Sequence, residues 1–211
     1  MLQHQLRHLL LLTFCTFITH VQAQDVITPD KQAEKRNFRQ QTAQGMLYAG
    51  TNFGLGIGLQ SSSVSVADAQ PLIDGVSNTK LGVFPIPRLL VGANFDFAGA
   101  MVIQGDPGES ERELVLTKTI GPFVRYYLSK SIFAEGQYGW GSGEERNGDA
   151  TPEPEEFSAQ RYVVGVGLAQ FWGKRIAFEL MARYSGIQGD VVYLGNIGVT
   201  AGIGVTIGQM P

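Results

Sequence analysis

Seven ionisable residues fall on one face of a series of alternating segments: Arg88, Asp96, Arg125, Glu135, Arg161, Glu179 and Arg183. Acids and bases set side by side in this way can pass protons or ions, or can neutralise one another in a filled interior. The second use is expected, because buried charges persist only when paired and hydrogen-bonded. Gly54-x-Gly56-x-Gly58 and Gly202-x-Gly204 mimic phosphate-binding loops. No strand-to-helix transition follows either one, so they are expected to be small-residue positions of strands. The acidic stretch at 143–157 carries Glu144, Glu145, Asp149, Glu153, Glu155 and Glu156. It lacks the fixed ligand spacing of a calcium loop and is expected to be a solvated surface loop. No metal site and no cofactor are expected.

The usual catalytic side chains are concentrated at the N-terminus. His4, His8, His20 and the single cysteine, Cys15, all precede residue 24. That stretch has the form of a secretory signal peptide. Arg7 with His4 and His8 makes a basic start, residues 9–19 are apolar, and Val21-Gln22-Ala23 is a small-residue cleavage site. Phe14 stands where a lipoprotein site has a small residue, so lipidation of Cys15 is not expected. A mature chain starting at Gln24 would hold neither His nor Cys. Disulfides, thiolate chemistry, His-based triads and His/Cys metal sites are then excluded, and the protein is not expected to be an enzyme. Arg7 would leave with the leader, making the net charge of −3 one unit more negative. A nucleic-acid partner is not expected without basic patches.

The elements that must position the seven ionisable residues are β-strands. In 121–141, Val124, Tyr126 and Leu128 alternate with Phe123, Arg125 and Tyr127; Ile132, Tyr138 and Trp140 alternate with Phe133, Glu135 and Gln137. Segment 47–60 is the cleanest case, setting Leu47, Phe53, Leu55, Ile57 and Leu59 against Tyr48, Asn52 and four glycines. Further strands are predicted over 79–91, 95–104, 113–128, 132–142, 158–171, 175–187 and 196–208. Residues 61–78 are predicted to be a polar loop, 105–112 a charged loop and 143–157 the longest loop. Short turns are predicted near Gly92-Ala93-Asn94, Lys130 and Gly173. Pro85 and Pro87 fit the second strand poorly, since each removes a ladder donor.

Eight strands of spanning length, joined alternately by short turns and longer polar connections, are the pattern of a transmembrane β-barrel. The apolar face would meet lipid and the small and charged face would fill the lumen. Tyr126, Tyr138, Trp140, Tyr162, Trp172 and Tyr184 are expected at the membrane interfaces. Arg125 and Glu135 lie equally far from Lys130, so they are expected opposite one another on the inward face and ion-paired.

Three segments, FPIPRLLVGANF, GPFVRYYLSKSIFAEGQYGWG and RYVVGVGLAQFWGKRIAFELMARYSG, resemble the strand–turn–strand units of small outer-membrane barrels of the OmpA/OmpX type. The resemblance covers residues 46–208. It implies an all-β, eight-stranded antiparallel up-and-down barrel in the outer membrane of a Gram-negative bacterium. It also implies contact with outer-membrane lipids and the machinery that assembles barrels. The sequence departs from the resemblance in two places. Many members end on an aromatic residue, whereas this sequence ends Ile207-Gly208-Gln209-Met210-Pro211; and no soluble peptidoglycan-binding domain follows the last strand. The expected organisation is a signal peptide over 1–23, a polar periplasmic segment over 24–44, read as flexible rather than docked, and a barrel over 45–209. The expected role is a structural or interaction barrel, a monomer with its specificity in the long loops and no identified ligand. The alternatives are a narrow porin-like channel, a lipid-acting barrel enzyme and a soluble ligand-binding barrel.

Overall fold

A computed structural model describes residues 31–61, 70–104, 111–146, 155–173, 175–189 and 193–208. The signal-peptide expectation, Asp149 and Glu153 lie outside the described residues. Two compact units divide the chain, Met1–Glu34 and Lys35–Pro211. Of the first, only residues 31–34 are described, and they open helix α1 (Lys31–Gln41). The rest of the helix and the whole sheet belong to the second.

The sheet is one closed barrel of eight antiparallel strands in sequence order. They are β1 (Leu47–Ser61), β2 (Gln70–Ile86), β3 (Leu89–Gln104), β4 (Glu111–Tyr127), β5 (Ile132–Arg146), β6 (Glu155–Trp172), β7 (Ile176–Gly189) and β8 (Tyr193–Ile207). The β1–β8 ladder, from Leu47↔Ile207 to Ser61↔Tyr193, closes the ring and leaves no free edge.

The period-2 pattern places the faces as expected. Leu55, Ile57, Leu81, Phe97, Val164 and Ile203 are exposed on the outside, with Leu55 at 72%. Tyr48, Asn52, Lys80, Asp96, Arg125 and Arg161 are buried inside. An apolar belt carried by every strand is far larger than the exposed patches of water-soluble monomers.

Several boundaries differ from the sequence-based expectation. The loop predicted over 61–78 is largely strand. β2 begins at Gln70: Pro71 pairs with Leu59 of β1, and Asp74 and Gly75 are held in ladders to both β1 and β3. The turn predicted at Gly92-Ala93-Asn94 lies instead at Pro87-Arg88, inside the predicted second strand, with Ile86 paired to Leu89. Pro87 fixes its own φ for the first turn position, and Arg88 takes φ 71° at the second. The ladder is irregular between Val83 and Ile86, which accommodates Pro85. Glu144, Glu145, Glu155 and Glu156 lie on β5 and β6, not in a loop, and their backbones pair across the hairpin.

From Lys35 on, the polar segment before β1 is also not a free tail. Its helix, rich in Lys, Arg and Gln, suits helical backbone. Within the Lys35–Pro211 unit, Phe38 is 3% exposed, packed edge-on against Tyr127 and Phe171 at 5.9 and 5.4 Å between ring centroids. Gln41 Nε2 donates to the carbonyls of Gly173 and Ile176 at 3.0 and 3.2 Å. The chain then joins the barrel rim through Gly45 N to Phe84 O, 2.8 Å, and Arg88 N to Thr42 O, 3.1 Å. This end carries the three short turns, so the helix stands at the short-turn mouth.

Candidate functional site: the charged lumen

The lumen is layered. Toward the short turns, Phe38, Phe84, Tyr127, Phe133 and Phe171 form an aromatic floor. Toward the longer connections, Leu72, Ala100, Val115 and Ile187 form a smaller aliphatic cluster, with Phe157 against it. Between them lie the ionised side chains.

Arg125 is the centre of the lower group. Its Nε donates to Glu135 Oε2 at 2.6 Å; Nη1 and Nη2 hold Glu179 at 2.5 and 2.9 Å. Its guanidinium stacks on the Phe133 ring, 4.1 Å to the centroid, and Tyr127 and Tyr48 flank it. Glu135 also takes Lys80 Nζ at 2.5 Å and Gln137 Nε2 at 2.5 Å, and Tyr48 Oη donates to Glu179 at 2.8 Å. The register Arg125↔Glu135 follows from a hairpin centred on Lys130. The link is longer than the expected Ser129-Lys130-Ser131: four residues, 128–131, separate β4 from β5.

The upper group is built on Arg183. Its Nη2 donates to Asp74 Oδ2 at 2.7 Å, and its Nη1 reaches Ser185 and Asn196. Gly56 makes room for this pair, since a Cβ there would collide with Asp74 Oδ1. Asp96 lies between the groups, accepting from the amides of Asn78 and Asn94.

Of the seven residues picked out in the sequence, six are buried in the lumen and one is not. Arg88 is exposed on the β2–β3 turn, its guanidinium 5.6 Å from the centroid of the Phe38 ring. It left the lumen because the strand ends at Ile86. Two members were missed. Lys80 was on the inward face of its strand, and that face was the signal that could have found it. Asp74 was hidden by a segment that reads as loop. With them the buried set is balanced: Lys80, Arg125, Arg161 and Arg183 against Asp74, Asp96, Glu135 and Glu179.

Arg161 stands apart. It is 2% exposed, yet its Nε and Nη1 have no hydrogen-bond partner among the described residues. It borders a void of about 10 Å³ with Asn78, Asp96, Gln137 and Arg183. A space of that size holds about one water. Asp96 and Asp74 attract Arg161 through space, and Arg183 repels it. Among the described residues no group of three or more His, Cys, Asp and Glu side chains converges as metal ligands.

All six interface candidates point outward. Tyr138, Trp140 and Tyr184 are exposed, Tyr162 is half-buried against Tyr184, and Tyr126 and Trp172 lie near the short turns. Tyr162 and Trp172 are ten residues apart on β6. That is roughly 33 Å along the strand and about 25 Å along the normal at a tilt of ~40°, matching the apolar band of such barrels.

A closed up-and-down ring of eight strands, apolar outside and charge-filled inside, is a transmembrane β-barrel, the small eight-stranded type that the sequence resembles. No family model and no curated protein matches the chain. Among solved structures it is similar to Ail, the attachment invasion locus protein of Yersinia pestis, at 14% identity and a TM-score of 0.47, covering 78% of this chain and 99% of that one. It is also similar to Neisserial surface protein A, at 14% identity and 0.46, covering 78% and 100%. The third is the outer membrane protein OprG from Pseudomonas aeruginosa, at 12% and 0.45, covering 81% and 99%. The fold assignment rests on the strand register and the two faces, not on these likenesses.

Proposed function

We propose that the chain is an outer-membrane barrel with a structural or interaction role, exported through a cleaved leader, monomeric, and closed to solutes. The observation that supports this reading is the set of buried, paired charges inside the barrel. Among the described residues the buried charges are balanced four to four, a void beside Arg161 holds about one water, and apolar clusters lie above and below the charges. Eight strands enclose an interior just wide enough for side chains. Function then falls to the outer surfaces, with the longer connections as recognition elements and lipids and barrel-assembly machinery as partners. Catalysis is not part of this proposal, since the chain beyond residue 23 has no His or Cys to serve as base or nucleophile.

The test is membrane fractionation together with planar-bilayer recording. Recovery in the outer-membrane fraction, heat-dependent gel migration and no steady conductance are expected. Stable single-channel steps would favour the narrow channel instead, and recovery in the soluble fraction would remove the membrane assignment.

A further inference from the structure

The two ends of the barrel carry opposite charge. Within the Lys35–Pro211 unit, the short-turn end exposes Lys35, Arg36 and Arg39 on α1, Arg88 on the first turn, Lys130 on the second and Arg175 on the third. The described acids nearest that end, Glu135 and Glu179, are buried in the lumen and already bonded to Arg125 and its neighbours. Glu144 and Glu145 on β5 and Glu156 on β6 lie at the other end, where Lys118 stands beside Glu144.

We infer that the short-turn end is a docking face for anionic phospholipid headgroups of the membrane leaflet it faces. Depth is the reason to choose lipid. The short turns hold only a few residues, so their cations cannot stand far from the bilayer. Trp172, 68% exposed, sits three positions before Arg175, and Tyr126 sits four before Lys130. Indole and phenol rings prefer the headgroup interface, and cations just beyond them reach phosphate depth. Arg88 is anchored by its ring contact with Phe38, which holds the turn to the helix. The helix cations add charge over the mouth, where the acidic long-connection end adds none. A surface of this kind enriches anionic lipid through clustered Lys and Arg, and the enrichment fades with salt.

This inference rests on the membrane placement proposed above, and one experiment separates the two. The full chain is refolded into phosphatidylcholine vesicles containing a minor fraction of phosphatidylglycerol. Spin-labelled versions of both lipids then report the selectivity of the lipid shell. The wild type is expected to prefer phosphatidylglycerol severalfold at low salt and to lose most of that preference at high salt. The variant Arg36→Gln, Arg39→Gln, Lys130→Gln, Arg175→Gln is expected to fall to a ratio near one while keeping heat-dependent gel migration. Arg88 is left intact because it packs on Phe38. A wild-type ratio of one, or an unchanged ratio in the variant, overturns the inference while leaving the membrane placement standing. Failure to float with vesicles overturns both. Salt-sensitive binding to isolated cell-wall sacculi, with no lipid preference, would assign the face to a wall polymer and also overturn it.

Discussion

Glu135 can be removed in three ways that look similar and should behave differently. It bridges two buried cations, Lys80 at 2.5 Å and Arg125 at 2.6 Å, and all three side chains are almost fully buried. At 2.5 Å and an effective dielectric of about 20, the gross attraction to Lys80 is about 7 kcal/mol, much of it offset by desolvation. Glu135→Leu leaves Arg125 with its two bonds to Glu179 but leaves Lys80 without an acid. Breaking a buried pair in this way costs about 3–5 kcal/mol. Adding Lys80→Met removes the stranded charge and leaves Arg125–Glu179 balanced, so Lys80→Met/Glu135→Leu should regain most of that loss. Arg125→Met/Glu135→Leu should not, because it strands both Lys80 and Glu179. Hairpin pairing taken alone would name this second double as the neutral one, and the network reverses the order. The assay is unfolding in urea, followed by heat-dependent gel migration of the refolded barrels. If the Lys80/Glu135 double is no more stable than the Glu135 single, or the Arg125/Glu135 double is the most stable of the three, the network account fails.

Other outcomes follow from single positions. Ile203→Arg puts a charge on the lipid side and should cost about 2–4 kcal/mol near the midplane; normal assembly of this variant would show the face assignment to be wrong. Gly204→Ala points inward, where a Cβ would collide with the Tyr48 ring, so it should disturb the Tyr48–Glu179 bond and leave lipid insertion intact. Arg183→Met strands Asp74 and should destabilise more than Arg161→Met, whose Nε and Nη1 have no hydrogen-bond partner among the described residues; equal urea midpoints would contradict this. Phe38→Ala removes the helix anchor from the aromatic floor, a change that costs up to about 3–5 kcal/mol in a core. Limited proteolysis should then cut before Met46 while the barrel stays resistant, and an unchanged cleavage pattern would count against docking. Sequencing of the exported protein should begin near Gln24, and retention of Cys15 would remove the export argument.

Much of this architecture was written locally. Alternation has a period of two whatever the strand later packs against, so the outward Leu55, Val164 and Ile203 and the inward Arg125 and Arg161 could be read without a fold. A hairpin fixes register through its turn, so Arg125 opposite Glu135 followed from Lys130 at the centre. The β2–β3 turn was misplaced because Pro87 reads as a flaw in a strand until its neighbours show that the strand has ended there. Asp74 was lost because Pro71 and Gly75 look like loop residues, and only the ladders, to β1 for Pro71 and to both neighbours for Gly75, hold them extended. The docked helix depended on one aromatic, Phe38, in an otherwise polar segment, and no periodic stripe announced it. The Arg125–Glu179 pair joins β4 to β7, strands that are not neighbours in the sheet. No local pattern encodes that contact; closing the ring brings opposite walls within reach, and burial then requires the charges that meet there to pair.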